Sequence, residues 1–462
     1  MAVRELQISP TTGKKPKVVQ QLAEWEYLET SLFRILAGWG RWHEAWADKV
    51  AVSRHVWEQS EIVRRLRERL VQFPGTHTNL AAPVHASLEA LANTVLLAPK
   101  FEDAIDGSYQ ILNDYLVRSY LAYAEAAHPV HDAPTVAILQ EILRIKNDHR
   151  LWLRERRRSR PHSVSASYRE AIERAIAVLV SGPGDAQPVG VRTPFRLPLN
   201  AFHPEKPTPT PNFMPYIEAD FETSIEARRL FWCYGYMLEM NLAEDQLRWI
   251  WDAHAMPFEF HQDLARHMWD ESRHGDSGMS RLLDFGIDLG QIGFPHYSKR
   301  TDGEAAGEWL QPEERARIDA FAPPMTAKDL YESVYFIGMV AETGHFVVKH
   351  EAYADFRDGG DFESAEMMLF DIIDETSHVQ YAHRWLPELA RRAGIDEDFR
   401  ARGLVQRDEL RDAMGVKLEG LNPVRDSSDP GFVFYQELLD TMRKKHPLTN
   451  ADSCPPRTRK PM

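Results

Sequence analysis

Cysteine is almost absent from this chain, which has only Cys233 and Cys454 among 462 residues. Neither belongs to a Cys-x-x-Cys pair, so the sequence excludes a disulfide framework and an iron–sulfur site. The sequence also lacks a run of roughly 18 apolar residues, which a membrane span requires, and its N-terminus lacks the apolar segment of a signal peptide. A cytoplasmic protein without a membrane partner is therefore expected.

Positive charge is also scarce, because 55 Lys and Arg stand against 69 Asp and Glu, for a formal net charge of -14. Non-specific affinity for nucleic acid depends on clustered Lys and Arg. The one dense basic run, "RERRRSR" at 154–160, is typical of a solvated helix end. A nucleic-acid partner is not expected.

Alternating strand patterns are rare, whereas apolar residues recur at spacings of three and four, which predicts an all-α fold. Proline and glycine mark the boundaries between segments. The predicted organisation is a flexible tail at 1–20, a helical domain at 21–180, a Pro/Gly-rich linker at 181–216, a second helical domain at 217–400, and a C-terminal helix and tail at 401–462.

Four long helices are predicted in the second domain. They cover about 220–254, about 258–283, a segment that begins with Thr326 as N-cap and Asp329 three residues later, and about 362 to Pro387. The connection at 284–325 is long, whereas the other two are short. This pattern predicts a four-helix bundle with one long crossover.

The two halves of the chain share a short sequence motif. "RHVWEQSEIVRRL" at 54–66 aligns without a gap to "RHMWDESRHGDSG" at 266–278, and a Leu-Glu pair lies some 30 residues earlier in each half. The pairs end in Glu29 and Glu239. We interpret the chain as an internal duplication.

The alignment shows what the first copy lacks. Gln59 stands opposite Glu271 and Ile62 opposite His274, and the last helix of the first copy, near 138–153, has no Glu-x-x-His. The first domain is therefore predicted to be a degenerate, metal-free helical copy. It would serve as the second half of an internal pseudo-dimer.

Carboxylate and imidazole side chains recur on the four predicted helices of the second domain. In chain order the helices offer a Glu, a Glu-x-x-His, a Glu and a second Glu-x-x-His, and the spacing i, i+3 puts each pair on one helix face. These residues are Glu239, Glu271, His274, Glu342, Glu375 and His378. This is the ligand set of a di-iron or di-manganese carboxylate centre in a bundle core. Because four buried carboxylates without a cation would be costly, a metal is predicted.

The motifs "DESRH" (270–274) and "DETSH" (374–378) resemble those of the ferritin-like non-haem di-iron carboxylate proteins, over about 220–390. The similarity is to the branch of oxygenases, desaturases and ribonucleotide reductase small subunits. It implies a ferritin-like four-helix bundle that holds two Fe ions, or Mn/Fe. The radical tyrosine of the reductases is not matched, since Gly278 occupies that position.

The resemblance also implies roles for individual residues. Glu239 and His274 would bind one iron and Glu342 and His378 the other, while Glu271 and Glu375 bridge or chelate. Asp270 and Asp374, each just before a ligating Glu, would orient the histidines.

Several nearby residues have more than one interpretation. His267 is interpreted as packing, because His55 matches it in the copy without ligands. His345 is either an additional ligand or a donor to a ligand. Glycines near the ligand faces indicate either a cavity beside the metals or close helix packing; they are Gly235, Gly275, Gly278 and Gly338.

The resulting expectation is a di-iron oxygenase or oxidase that uses dioxygen to oxidise a C–H or N–H bond of a small organic substrate. Because the sequence has no Gly-rich dinucleotide motif, an external electron donor is expected. A ferroxidase or metal-handling protein without an organic substrate is the first alternative, and a non-catalytic helical scaffold is the second. A homodimer is the alternative to an internal pseudo-dimer.

Overall fold

The computed structural model describes residues 17–73, 85–181, 211–292, 324–419 and 423–448. Within these ranges all regular secondary structure is helical, which confirms the all-α prediction. No helix in the described ranges is long and apolar enough to cross a membrane. The chain divides into two compact units, Met1–Leu36 with Glu58–Phe195, and Ala37–Trp57 with Arg196–Met462.

The first half of the chain contains seven α-helices and one π-helical turn in its described residues. The division between the two units falls inside the first two helices. The elements are α1 (Lys17–Gly40), α2 (Trp46–Leu70), α3 (Ala86–Leu96), α4 (Phe101–Asp106), π1 (Gly107–Leu112), α5 (Asn113–Ala126), α6 (Ala133–Ser159) and α7 (Ala166–Ser181).

The second half has a similar succession of long helices and also contains a π-helical turn. Its described elements are α8 (Met214–Asp220), α9 (Ile225–Leu238), α10 (Met240–Asp252), α11 (Phe258–Asp284), α12 (Leu289–Ile292), α13 (Ala327–Tyr335), π2 (Phe336–Ala341), α14 (Glu342–Asp358), α15 (Phe362–Ala393), α16 (Phe399–Glu419) and α17 (Pro430–Lys445). In this unit α9 and α10 pack on α11, and α15 packs on α11, α13 and α14.

Side-chain caps fix where the helices of the second unit begin. The hydroxyl of Ser224 accepts the N–H of Ala227 at the start of α9. Thr326 and Asp329 form the predicted capping box at the start of α13. Asp361 caps α15. Polar residues before an apolar run thus satisfy the free N–H groups of the first turn.

Two helix boundaries differ from the sequence prediction. The first helix, predicted at about 220–254, is interrupted at Glu239, which ends α9 and precedes α10. The fourth was expected to end at Pro387, but α15 continues to a left-handed Gly394 (φ 66°). The buried Leu386 and Leu389 flank the proline. Their packing on the core offsets the hydrogen bond that proline cannot donate.

The termini and connections also differ from expectation where the structure describes them. Helix α1 begins at Lys17, inside the predicted tail 1–20, and the predicted C-terminal segment 401–462 contains most of α16 and all of α17. Most of the predicted linker 181–216 and crossover 284–325 lies outside the described residues.

Residues 37–57, which the sequence assigns to the first domain, belong to the second compact unit. Trp57 stacks on Trp269 of α11, with ring centroids 4.2 Å apart. Lys49 forms a buried ion pair with Glu244 of α10. These contacts attach the first half of α2 to α10 and α11.

The two halves place their π-helical turn at the same point. Asn113 directly follows π1 as Glu342 directly follows π2. From there the chain reaches the N-caps Asp132 and Asp361 after the same number of residues. Counting on from these caps aligns Lys146 with Glu375 and His149 with His378. Helix α6 of the first half thus carries Lys-x-x-His where α15 carries Glu-x-x-His, and α7 follows α6, so α6 is not the last helix of that half as predicted.

Candidate metal centre

The structure brings the six predicted ligands together inside the second unit, in two groups of four residues. In each group the candidate ligand atoms lie within 4.8 Å of one another. We call them the His267 group, made of His267, Glu271, Glu342 and His378, and the Asp371 group, made of Glu239, His274, Asp371 and Glu375. Each group thus contains one of the pairs that the resemblance assigned to a single iron.

Two of these carboxylates stand at irregularities in their helices. Glu239 occupies the break between α9 and α10, and Glu342 is the first residue after π2. A π-helical turn inside an α-helix shifts the faces that follow it and is frequent at functional sites. Both carboxylates are therefore placed by local backbone changes that apolar periodicity does not reveal.

In the Asp371 group, His274 uses its two ring nitrogens differently. Nε2 lies 3.2 Å from Oδ2 of Asp374, while Nδ1 lies 3.1 Å from Oε2 of Glu239 and 3.4 Å from Oδ1 of Asp371. Nδ1 of His274 and Oε2 of Glu239 are both buried, and outside this contact neither atom has a hydrogen-bond partner. Two ligand atoms in this position fit a shared metal ion.

His378 has the same orientation in the His267 group. Its Nε2 lies 3.4 Å from Oδ2 of Asp270, and its Nδ1 lies 3.0 Å from Oε2 of Glu375 and 3.4 Å from Oε1 of Glu271. Oε1 of Glu342 is 3.7 Å from the same nitrogen. Both histidines therefore present Nδ1 to the carboxylates and Nε2 to an aspartate.

His267, interpreted from sequence as packing, lies inside the centre. Its Nε2 is 2.9 Å from Oε1 of Glu271 and 3.6 Å from Oε1 of Glu342. Its ring stacks on His378 with the centroids 3.6 Å apart. Its position one helical turn before Glu271 was the sequence feature that could have placed it among the candidate ligands. The match to His55 in the first half favoured packing instead.

Asp270 and Asp374 connect the histidines to two arginines. Each aspartate faces the histidine of the other helix, and Arg273 donates to both carboxylates. Arg266 donates to Asp270 at 2.8 Å. Burial alone would raise the pKa of Asp270, but the hydrogen bonds from His378 and Arg266 hold it well below its usual value. A charged aspartate fixes the orientation of the imidazole that it contacts.

The carboxylates of the centre do not share one ionisation state. Burial, together with the charges of Glu342 and Glu375, raises the pKa of Glu271 well above its usual range. Burial also raises the pKa of Glu239, to about 8. For Glu342 burial acts in the same direction, but hydrogen bonds from Glu375 and His267 lower its pKa well below normal. Such crowding is expected where acidic groups are arranged around a cation.

Two further residues of the centre were not predicted from the sequence. Asp371, one turn before Glu375, accepts a hydrogen bond from Tyr236 at 2.7 Å. Lys349, two turns after Glu342, is buried, and its Nζ lies 2.9 Å from Asp371 and 2.7 Å from Oε1 of Glu375. Their helical spacing from the predicted ligands was a signal, but an acidic residue and a lysine at such spacing are usually exposed.

His345 was expected to be either an additional ligand or a donor to a ligand. His345 is half-buried and belongs to neither group.

A Cβ added to three of the glycines would lie within 3.1 Å of another helix, so close packing explains them, whereas Gly235 has open space around it. The nearest atoms are N of Met240 for Gly275 at 3.1 Å, N of Met237 for Gly278 at 2.4 Å, and Cβ of Ala382 for Gly338 at 2.2 Å.

A cavity reaches the His267 group from one side. His267 and His378 form part of its wall, and Ile337 of π2 lies beside them. Asp263 is the carboxylate of the lining, and it accepts hydrogen bonds from Arg384 and Trp385. The apolar and aromatic lining includes Trp249, Phe260, Leu264, Tyr381 and Trp385. The cavity's free volume of about 20 Å³ suits a molecule of the size of water or dioxygen.

The first unit holds a different cluster at the aligned positions. The Nζ atom of Lys146 lies 2.6 Å from Oε2 of Glu29 and 3.1 Å from Oε1 of Gln59, and Tyr120 donates to the same glutamate. All four side chains are buried. Elsewhere in this unit His149 lies 2.9 Å from Glu58, as His378 lies near Asp270 in the second unit. An ammonium thus balances the buried glutamate of the first copy.

Comparison of the chain with protein-family models, curated proteins and solved structures gives no match. The geometry and charges of the residues themselves are therefore the basis for a functional proposal.

Proposed function

We propose that the second unit is a ferritin-like four-helix bundle with a dinuclear metal centre, and that the protein is a di-iron oxygenase or oxidase. Glu239 and His274 would hold one ion, and Glu342 and His378 the other. Glu271 and Glu375 would bridge or chelate the ions. Mixed carboxylate and imidazole ligands suit iron and manganese.

The orientation of the two histidines is the observation that carries the proposal. His274 and His378 both turn Nδ1 toward carboxylates and Nε2 toward an aspartate on a neighbouring helix. Histidine ligands of metals usually donate their other N–H to such a group, which fixes the tautomer. A purely structural pair of histidines would not require this arrangement twice.

When bound, two ferrous ions would supply the electrons and open coordination positions for the reduction of dioxygen. Residues of the chain would orient the ligands and line the approach to the ions. Asp270 and Asp374 hold the imidazoles, while Arg273 joins the two aspartates. The cavity beside His267 has an apolar and aromatic lining and would admit dioxygen to the metal ions. An external electron donor completes the proposal.

The test is anaerobic loading with ferrous iron followed by oxygen-electrode measurements with and without a chemical reductant. An oxygenase or oxidase continues to consume dioxygen while reductant is present. A ferroxidase consumes dioxygen once for each load of iron and then stops. Failure to bind iron would contradict both activities and leave a scaffold role.

A further inference from the structure

The Asp371 group and the His267 group differ in whether a lysine ammonium neutralises their carboxylates. The Asp371 group already contains a cation, because Nζ of Lys349 lies 2.9 Å from Asp371 and 2.7 Å from Glu375. The lysine is 3% exposed. Its ammonium thus lies where an ion shared by these two carboxylates would lie.

The His267 group has the composition of a metal site. It combines two imidazoles with two carboxylates, and Nε2 of His267 is 2.9 Å from Oε1 of Glu271. One divalent ion needs about four such ligands. An ion can therefore bind this group without displacing Lys349 from its two partners.

The first unit provides an internal precedent for an ammonium in place of a metal. Lys146 aligns with Glu375 and forms its ion pair with Glu29 at 2.6 Å in a fully buried cluster. Tyr120, which aligns with Lys349, donates to the same glutamate. A lysine ammonium is therefore sufficient to balance a buried acidic group at this place in the fold.

We propose that Lys349 competes with metal for the Asp371 group, so that the centre fills in sequence. The first ion binds the His267 group, and the second binds only when the Lys349 ammonium withdraws from Asp371 and Glu375. This inference rests on the proposed metal-binding function. Its physical basis is the repulsion between an ammonium and a divalent ion that share the same carboxylate oxygens.

The test is titration of the metal-free full-length protein with Mn²⁺, with free Mn²⁺ measured by electron paramagnetic resonance. The wild type should bind one ion tightly and the second at least about tenfold more weakly. Lys349→Met should tighten the second step by at least about tenfold, because the competing charge is gone, and leave the first step nearly unchanged.

A matched control is Lys49→Met, which removes a buried lysine that pairs with Glu244 in the same unit but outside both groups. It should leave both binding steps as in the wild type. If Lys349→Met does not fold, the neutral Lys349→Gln replaces it with the same expectation. Lys349→Arg, which keeps the charge, should leave the second step weak.

The outcomes separate this inference from the proposed function. Absence of any tight Mn²⁺ in the wild type would contradict the metal centre itself. Two tight ions in the wild type, with no change in Lys349→Met, would overturn the competition and leave the metal centre intact. A second step that tightens equally in the Lys49→Met control would also overturn it.

Discussion

Asp374 accepts a hydrogen bond from Nε2 of His274 at 3.2 Å, although the two residues stand on different long helices. The contact leaves Nδ1 of the imidazole facing Glu239 and Asp371. Loss of the carboxylate would free the ring to rotate. Substitution of Asp374 therefore tests the orientation of the His274 ring while His274 itself is kept.

Asp374→Asn should weaken metal binding by about 10–100-fold while the helical circular dichroism stays unchanged. The amide no longer fixes the tautomer of His274 with a negative charge. Mn²⁺ titration measures the effect. Asp276→Asn is the control, because Asp276 stands on α11, the helix of His274, but accepts from Trp46 at 2.9 Å. Equal affinity in the two variants would contradict an orienting role for Asp374.

Glu271→Gln should abolish tight metal binding with little effect on the stability of the metal-free protein. Burial raises the pKa of Glu271 and so favours its protonated form when no metal is bound, and glutamine is close to that form in shape and charge. Metal analysis measures the bound metal, and urea unfolding measures the stability of the metal-free protein. Glu244→Gln is the contrasting control, since it breaks the ion pair with Lys49 and should destabilise without removing metal.

A double variant with His274→Ile added should be less stable than Glu271→Gln alone. Asp371, Asp374 and Glu239 together overcome the effect of burial and raise the pKa of His274 well above its usual value. The raised pKa favours the positively charged imidazole beside Asp371 and Asp374 in the metal-free state. Isoleucine, which the first copy holds at this position, removes that charge. Equal unfolding midpoints for the two variants would contradict this charge assignment.

Metal affinity should rise with pH between about 6 and 8. Burial raises the pKa of Glu239 to about 8, so below that value the metal-free protein holds a proton that binding must release. Metal affinity falls as the pH falls, because the raised pKa favours protonated Glu239 and the proton competes with the metal for this carboxylate. Calorimetry in buffers of different ionisation enthalpy measures the released protons. A pH-independent affinity without proton release would contradict this prediction.

Lys146→Met should destabilise the first unit by about 3–5 kcal/mol, because the buried Glu29 would lose its charged partner. Arg144→Met is the control on the same helix, since its pair with Asp148 is exposed and contributes at most about 1 kcal/mol. Urea unfolding distinguishes the two. A similar small loss for both variants would mean that Lys146 does not balance the buried cluster.

The sequence predicted the residues whose role depends on local spacing. Glu271 and His274 share a helix face because the helical period brings positions i and i+3 together, and the same holds for Glu375 and His378. Thr326 and Asp329 could be recognised as a cap for the same reason. These relations need only one helix, so they can be predicted before the fold is known.

Residues whose role depends on contacts between helices were missed. Lys349 is significant only because α14 brings it against Asp371 and Glu375 of α15. His267 was interpreted as packing because His55 matches it in the first half, and its stacking on His378 of another helix could not be known from spacing. The break at Glu239 and the continuation of α15 past Pro387 also depend on tertiary packing, which overrides local propensity.

X-ray anomalous diffraction at the iron edge tests the metal centre most directly, using crystals of protein loaded with ferrous iron without oxygen. We expect an anomalous peak within coordination distance of Glu271, Glu342 and His378, and none at the Lys146 cluster of the first unit. A second, weaker peak would lie near Glu239 and His274. An absence of signal at these residues, or iron bound only at the protein surface, would contradict the proposed centre.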